Sequence, residues 1–376
     1  MRKALFQLHR WLGLAAGLVL ALVGATGALM SFEPEITRWI DAGVLTVAPR
    51  DGRLAAPQLL ARLNDDHPQR RVTGLTMWRD PKSAARVVFA VPDDRRGEVV
   101  YVDPHGAALR GASPVEGFLH VVEDLHRRLA AGPAGRSVTG AATLCLILMC
   151  VTGLVLRWPR RAADWRAWLR LDMRLKGRGF LWQLHAVAGT WVLLLALLTA
   201  LTGLYFAYDW YRAGVHALTG TPLAKRSAPT ERRDETPAVS RFELEPAWTR
   251  LQAAVPQWRQ VTLRFPERGD QPLQATVLDA DAPHDRAFDR LQIDLSGELR
   301  RHERHADKPA GARLVAGMLA LHTGSFFGVP GRLLMFATAL SMPLFAITGW
   351  MLYVGRRRRR APRPSLEADA RAPFAH

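Results

Sequence analysis

Four stretches of the chain are almost continuously apolar: 11–32, 138–158, 181–208 and 333–354. A hydrocarbon core of ~30 Å is crossed by a helix of about 20 such residues, so each stretch is long enough, or nearly so, to span a membrane. The first and third read alike. Residues 7–27 are QLHRWLGLAAGLVLALVGATG and residues 183–203 are QLHAVAGTWVLLLALLTALTG. Both open on Gln-Leu-His, and in both the glycine of a Thr-Gly pair falls 18 residues after the histidine. The second and fourth stretches also match in outline. His126 precedes Gly135-Arg136 by nine and ten residues, and His322 precedes Gly331-Arg332 by the same offsets. Thr152-Gly153 and Thr348-Gly349 each lie 26 and 27 residues beyond their histidine.

Between the apolar stretches the period shortens. Residues 57–66 read as a short helix, followed by strand-like alternation at 72–78, 86–91 and 98–102 and a DPHG turn at 103–106. The second long segment repeats this order. It has a helix near 245–255, strands near 259–265, 272–278 and 287–294, and a turn at 294–297. Residues 41–56 read as linker and 361–376 as a disordered tail.

The pattern predicts an α-helical membrane protein: a four-helix bundle from a tandem parallel duplication, with two small α+β modules outside the bundle. The expected units are spanning helix 1 (1–32), module 1 (33–117), a short helix plus spanning helix 2 (118–158), and a loop (159–180). Spanning helix 3 (181–208), module 2 (209–310), a short helix plus spanning helix 4 (311–355) and a tail (356–376) complete them. The basic start followed by an apolar run also suits a signal peptide. The recurrence of that run at 183–203 favours a retained helix.

Mean hydropathy of −0.03 hides this organisation, because polar segments offset apolar ones. The net charge of +17 is informative only by position. Residues 1–10 carry +3, 157–178 carry +6 and 356–376 carry +5, whereas 32–136 and 209–332 carry only +1 and +2. Basic segments stay in the cytoplasm. The termini and the 159–180 loop are therefore expected on the cytoplasmic side, with both modules outside and the tryptophan-rich loop along lipid headgroups. Sidedness accounts for the charge without nucleic acid as a partner. Cys145 and Cys150, the only cysteines, lie within one apolar run and form no disulfide framework.

His9 and His185 fall at the inner ends of spanning helices 1 and 3. His126 and His322 fall at the outer ends of 2 and 4. A pseudo-two-fold axis would bring each equivalent pair face to face, and facing neutral imidazoles suit the axial positions of a haem iron. Gly13, Gly17 and Gly189 follow the inner histidines on their helical face and leave room for a flat macrocycle. Gly27 and Gly203, five turns on, could do so for a second one. Arg136 and Arg332, or Arg10, Arg127 and Arg128, could pair with propionates. The plain alternative is that the histidines meet headgroups and the Gly/Thr positions serve helix packing. His120, whose counterpart is Ala316, is a reserve ligand, and His302 with His305 could hold a metal weakly. Glu33 and Asp209, each 24 residues after its histidine, are candidate substrate contacts or ordinary boundary residues.

The LHRWLG opening, LHRRLAAGPAGR, LHTGSFFGVPGR, the four Thr-Gly pairs and the VDPHGAALR turn at 102–110 resemble the PepSY-associated transmembrane family over nearly the whole chain to about residue 355. The resemblance implies periplasmic modules of PepSY type and two b-type haems on His9, His126, His185 and His322. It further implies activity as an inner-membrane ferrisiderophore reductase, an oxidoreductase of iron uptake. No GxGxxG fingerprint for a flavin or nicotinamide is present, so a separate cytoplasmic electron donor is expected. Two other readings stay open. One is a haem-bearing carrier serving a quinone or a redox protein; the other is a non-enzymatic module that binds peptides or a protease.

Overall fold

The computed structural model describes all residues except 93, 224–242, 267–270, 295 and 359–376, with the side chains of 94–96, 357 and 358 also left aside. The expected tail at 361–376 lies outside the described residues. In chain order, α1 (Arg2–Met30) leads to two short helices, α2 (Glu33–Ile40) and α3 (Ala42–Leu45), and then α4 (Ala56–Asp66). Strands β1 (Val72–Trp78), β2 (Ala85–Val91), β3 (Asp94–Val102) and β4 (Leu109–Gly111) follow, then α5 (Pro114–Arg128) and α6 (Gly132–Arg157). After α7 (Trp165–Leu169) come α8 (Gly177–Ala207), α9 (Asp209–Leu218) and α10 (Glu245–Ala254). Strands β5 (Trp258–Arg264), β6 (Leu273–Asp279), β7 (Asp289–Ile293) and β8 (Leu299–Glu303) precede α11 (Ala310–Ala316), α12 (Met318–Thr323) and α13 (Gly328–Arg358).

Helices α1, α6, α8 and α13 are long and apolar enough to cross a membrane. Their lipid-facing side chains are exposed and large, such as Leu18, Leu194 and Leu340, because hydrocarbon rather than protein is their solvent. Helix α1 packs against α6 and α13, and α8 packs against the same two, so α1 and α8 stand across the bundle from each other. Close approach depends on small residues. Pro343 has no N–H to offer the Ala339 carbonyl one turn back, and that carbonyl lies against Gly24, where a Cβ would sit 2.5 Å from it. Ordered backbone without a side chain lets α1 and α13 meet there.

The strands form one antiparallel sheet of eight, in the order β4-β3-β2-β1-β5-β6-β7-β8. This differs from two separate modules. Strands β1 and β5 pair in register from Gly74–Arg264 to Trp78–Gln260 and fuse the halves, with Thr76 and Thr262 hydrogen-bonded at 3.1 Å across the seam. One face of the sheet is apolar, as its alternating burial requires. Leu59 and Leu63 of α4 and Trp248 and Leu251 of α10 cover it, over Leu75, Val87, Phe89, Leu263, Val277 and Leu291. The 41–56 segment, expected as linker, also holds α3 and a bridge from Thr46 to Ser83.

Two tight turns join the sheet region to the bundle. Leu129 and Ala130 adopt φ of 52° and 53° after α5, and Gly324 and Gly328 adopt 81° and 64° after α12. The glycine nine residues beyond each histidine is required by crowding. A Cβ on Gly135 would lie 1.6 Å from the Arg128 carbonyl oxygen, and one on Gly331 would lie 2.3 Å from that of Gly324. Both carbonyls belong to the residue two beyond the histidine, so the Gly-Arg motif folds each turn back beneath its imidazole.

Candidate functional site: two facing histidine pairs

His9 near the start of α1 and His185 near the start of α8 face each other across the bundle, with ring centroids 6.3 Å apart and planes at 80°. At the sheet end, His126 of α5 and His322 of α12 make a second pair at 6.4 Å and 70°. The sequence offsets thus correspond to two like arrangements at opposite ends of the four long helices. His120 is exposed on α5 and belongs to neither pair.

A threonine orients each ring. Nδ1 of His9 is 2.9 Å from Oγ1 of Thr152, and Nδ1 of His185 is 2.7 Å from that of Thr348. The same contact joins His126 to Thr26 at 3.1 Å and His322 to Thr202 at 2.9 Å. All four hydroxyls sit 2.7–2.8 Å from the carbonyl four residues back in their own helix. Each hydroxyl proton goes to that carbonyl, leaving the oxygen to accept from imidazole. His126 and His322 also reach the carbonyls of Val23 at 2.9 Å and Thr199 at 3.1 Å, which can only accept. Nδ1 therefore carries the proton. Nε2 keeps its lone pair, and among the described residues no hydrogen bond to Nε2 of these four histidines is present. A histidine that donates through one nitrogen and offers the other is the usual preparation of a metal ligand.

The glycine after each threonine makes room for the ring. A Cβ on Gly27 would lie 3.0 Å from Cε1 of His126, and on Gly203 it would lie 3.4 Å from that of His322. For Gly153 and His9 the distance is 3.3 Å, and for Gly349 and His185 it is 3.9 Å. The space expected beside Gly27 and Gly203 for a macrocycle is occupied by imidazole. The Thr-Gly pair is thus a histidine seat, with one residue to hold the ring and one to clear it.

A cavity of about 300 Å³ opens at the His9/His185 end. Gly13, Gly17 and Gly189 line it, together with Met149, Phe345 and Tyr353. A Cβ on Gly189 would meet nothing within 4 Å, so this wall is open space. Arg10 lines the cavity as well.

At the sheet end the arginines are engaged by protein carboxylates. Arg332 of α13 is held by Glu35 of α2, at 2.6 Å from Nη1, and by the Ser31 carbonyl. Arg136 of α6 pairs with Asp209 at 3.3 Å and with the Phe206 carbonyl. Arg127 and Arg128 bind Glu123 and Asp124 along α5. Of the two acidic candidates, Asp209 thus serves as an arginine partner, shared with Arg212. Glu33 is exposed; desolvation, followed by the nearby Glu123, raises its pKa. Arg332 holds the Glu35 carboxyl below its usual range.

His302 and His305 lie apart from both pairs, flanking Asp289 in the sheet. Among the described residues, no group of three or more His, Cys, Asp or Glu is placed to hold a metal ion. The two-histidine pairs fall below that number.

The family model for the PepSY-associated TM region matches residues 6–356. The chain belongs to that family. The match runs from α1, just before His9, to the end of α13, and so takes in all four histidines, their threonines and the whole sheet. No curated protein matches the sequence.

The histidines and glycines stand out as candidates in the sequence, whereas the threonines show no chemical role there. The signal was present: a threonine precedes the glycine at both repeated offsets. Arg157, Arg178 and Arg356 also line the cavity, although along the sequence they stand out only as topological charge.

Proposed function

We propose that this family member is a di-haem ferric-chelate reductase of the bacterial inner membrane. Two b-type haems would be held between His9 and His185 and between His126 and His322. The observation that carries the reading is the Nδ1–H donation of all four histidines to threonine, which leaves Nε2 unengaged on both rings of each adjacent pair at the two ends of the bundle. A haem bound at each pair supplies one-electron redox chemistry.

The chain's own part is to orient the imidazoles, exclude water with the surrounding apolar helices and hold the two sites at opposite ends of α1 and α8. An electron would enter at the basic end from a separate cytoplasmic donor and leave at the sheet end. There one electron reduces the Fe(III) of a periplasmic siderophore to Fe(II), whose grip by hard oxygen ligands is weaker. The charge distribution supports the sidedness, and family likeness suggests the direction. Outer-sphere transfer needs no acid/base dyad.

The test is spectroscopic. The purified protein should show a reducible b-type spectrum with about two haems per chain. Reduced protein should be reoxidised by a ferric siderophore. A folded but colourless protein sinks the reading, and reoxidation by quinone alone assigns the chain as a carrier instead.

A further inference from the structure

Each of the four long helices brings one arginine to the same cavity at the His9/His185 end: Arg10 from α1, Arg157 from α6, Arg178 from α8 and Arg356 from α13. Among the described residues none of the four is paired with a carboxylate, whereas Arg136 and Arg332 at the other end both are. Nε of Arg10 and Nε of Arg157 are buried without a hydrogen-bond partner. An arginine that served only to fix topology would keep its guanidinium in water. A buried N–H with no acceptor is destabilising unless an anion completes it.

Arg157 is further fixed by donating to the Ala167 carbonyl and by lying over the Trp182 ring at 5.8 Å. Arg10 lies 5.9 Å over Tyr353. Both guanidinium groups are positioned before any ligand arrives. Planar guanidinium forks match carboxylates in a bidentate fashion.

We infer that this arginine ring is a carboxylate site that anchors the propionates of the group held between His9 and His185. It makes binding at that end depend on the ligand's carboxylates, whereas binding at His126/His322 does not. The inference rests on the two-haem reading above. A lipid phosphate offers similar anionic chemistry and is the competing source.

The experiment compares wild type with Arg10→Gln/Arg178→Gln and with Arg178→Gln/Arg356→Gln, each purified as the full chain. A His9→Ala variant marks which spectral component belongs to this end. Haem per chain is measured, together with transfer of haem to apomyoglobin. Apoprotein is then reconstituted with haem or with haem dimethyl ester.

The arginine variants should lose haem at least ten-fold faster from the His9/His185 site and keep the other. The diester should fill only the His126/His322 site. Equal retention at both sites in every variant, or equal uptake of the diester at both, overturns the proposal and leaves the two-haem reading standing. Loss of co-purified phospholipid without change in haem assigns the ring to lipid and also overturns it. A wild-type chain without haem overturns both.

Discussion

Thr348 accepts a hydrogen bond from Nδ1 of His185 at 2.7 Å while giving its own hydroxyl proton to the Leu344 carbonyl at 2.7 Å. This one side chain sets both the tautomer and the direction of the ring. At the other end of the bundle His322 has a second acceptor in the Thr199 carbonyl, whereas among the described residues His185 has no such backbone acceptor.

That difference yields an asymmetric prediction. Thr348→Val preserves shape but strands the Nδ1–H of His185. Loss of such an outer partner typically costs 10–100-fold in metal affinity. Thr202→Val leaves His322 donating to Thr199 and should cost several-fold less. On the two-haem proposal, haem dissociation rates of the two variants, read from separate spectral components, check this. Equal losses would mean that the Thr199 carbonyl does not stand in for the threonine acceptor, and no loss in either variant would mean that the threonines serve packing alone.

The glycine half of the motif can be tested by adding one methyl group. A Cβ on Gly27 would lie 3.0 Å from Cε1 and 3.4 Å from Nδ1 of His126, a ring tied by two hydrogen bonds and unable to withdraw freely. Beside Gly349 the nearest atom, Cε1 of His185, is 3.9 Å away, an ordinary contact. On the two-haem proposal, Gly27→Ala should therefore lose the haem at the sheet end, and Gly349→Ala should keep two haems per chain. Pyridine haemochrome stoichiometry distinguishes the outcomes.

The contrast between those two positions shows where sequence reasoning reaches. The matched offsets mark His9 and His185, and His126 and His322, as equivalent positions of a repeat, and the structure sets the rings of each pair 6.3 and 6.4 Å apart. The role of Thr-Gly was hidden because its partner lies on another helix. Spanning helices and most strands were visible through local periodicity. Strand β8, LRRHE, was not, since an edge strand with four polar residues shows no alternation. Helix α2 was hidden by the Glu-Pro-Glu opening, which reads as a boundary although proline is welcome in a first helical turn. The joining of β1 to β5 links residues 186 apart, and no local pattern encodes such a pairing.

The continuous sheet makes its own prediction. Thr76 and Thr262 are directly opposed in antiparallel strands, where Cα atoms lie about 4.5–5.5 Å apart and within disulfide reach. The double variant Thr76→Cys/Thr262→Cys should close a cross-link under mild oxidation. Intact mass should fall by two hydrogens, and a Lys-C peptide map should join the two segments. Two independent sheets would leave both thiols free to alkylating reagents.

The last prediction concerns the clasp of Glu35 on Arg332, which ties α2 to α13 at the sheet end. Hydrogen bonding to Arg332 lowers the Glu35 pKa below its ordinary value of 4.5. Its contribution to stability is thus fully present above that value and is lost as pH falls through the depressed folded value. The Glu35 side chain is 55% exposed, so solvent screening limits the pair to about 0.5 kcal/mol. Glu35→Gln should lower the thermal midpoint slightly at pH 7, and the difference should vanish as pH falls through the depressed Glu35 value. Arg332→Gln should behave in the same way at neutral pH. If the Glu35→Gln deficit stays unchanged however far the pH is lowered within the folded range, the clasp acts through packing, and the charge on Arg332 is balanced elsewhere.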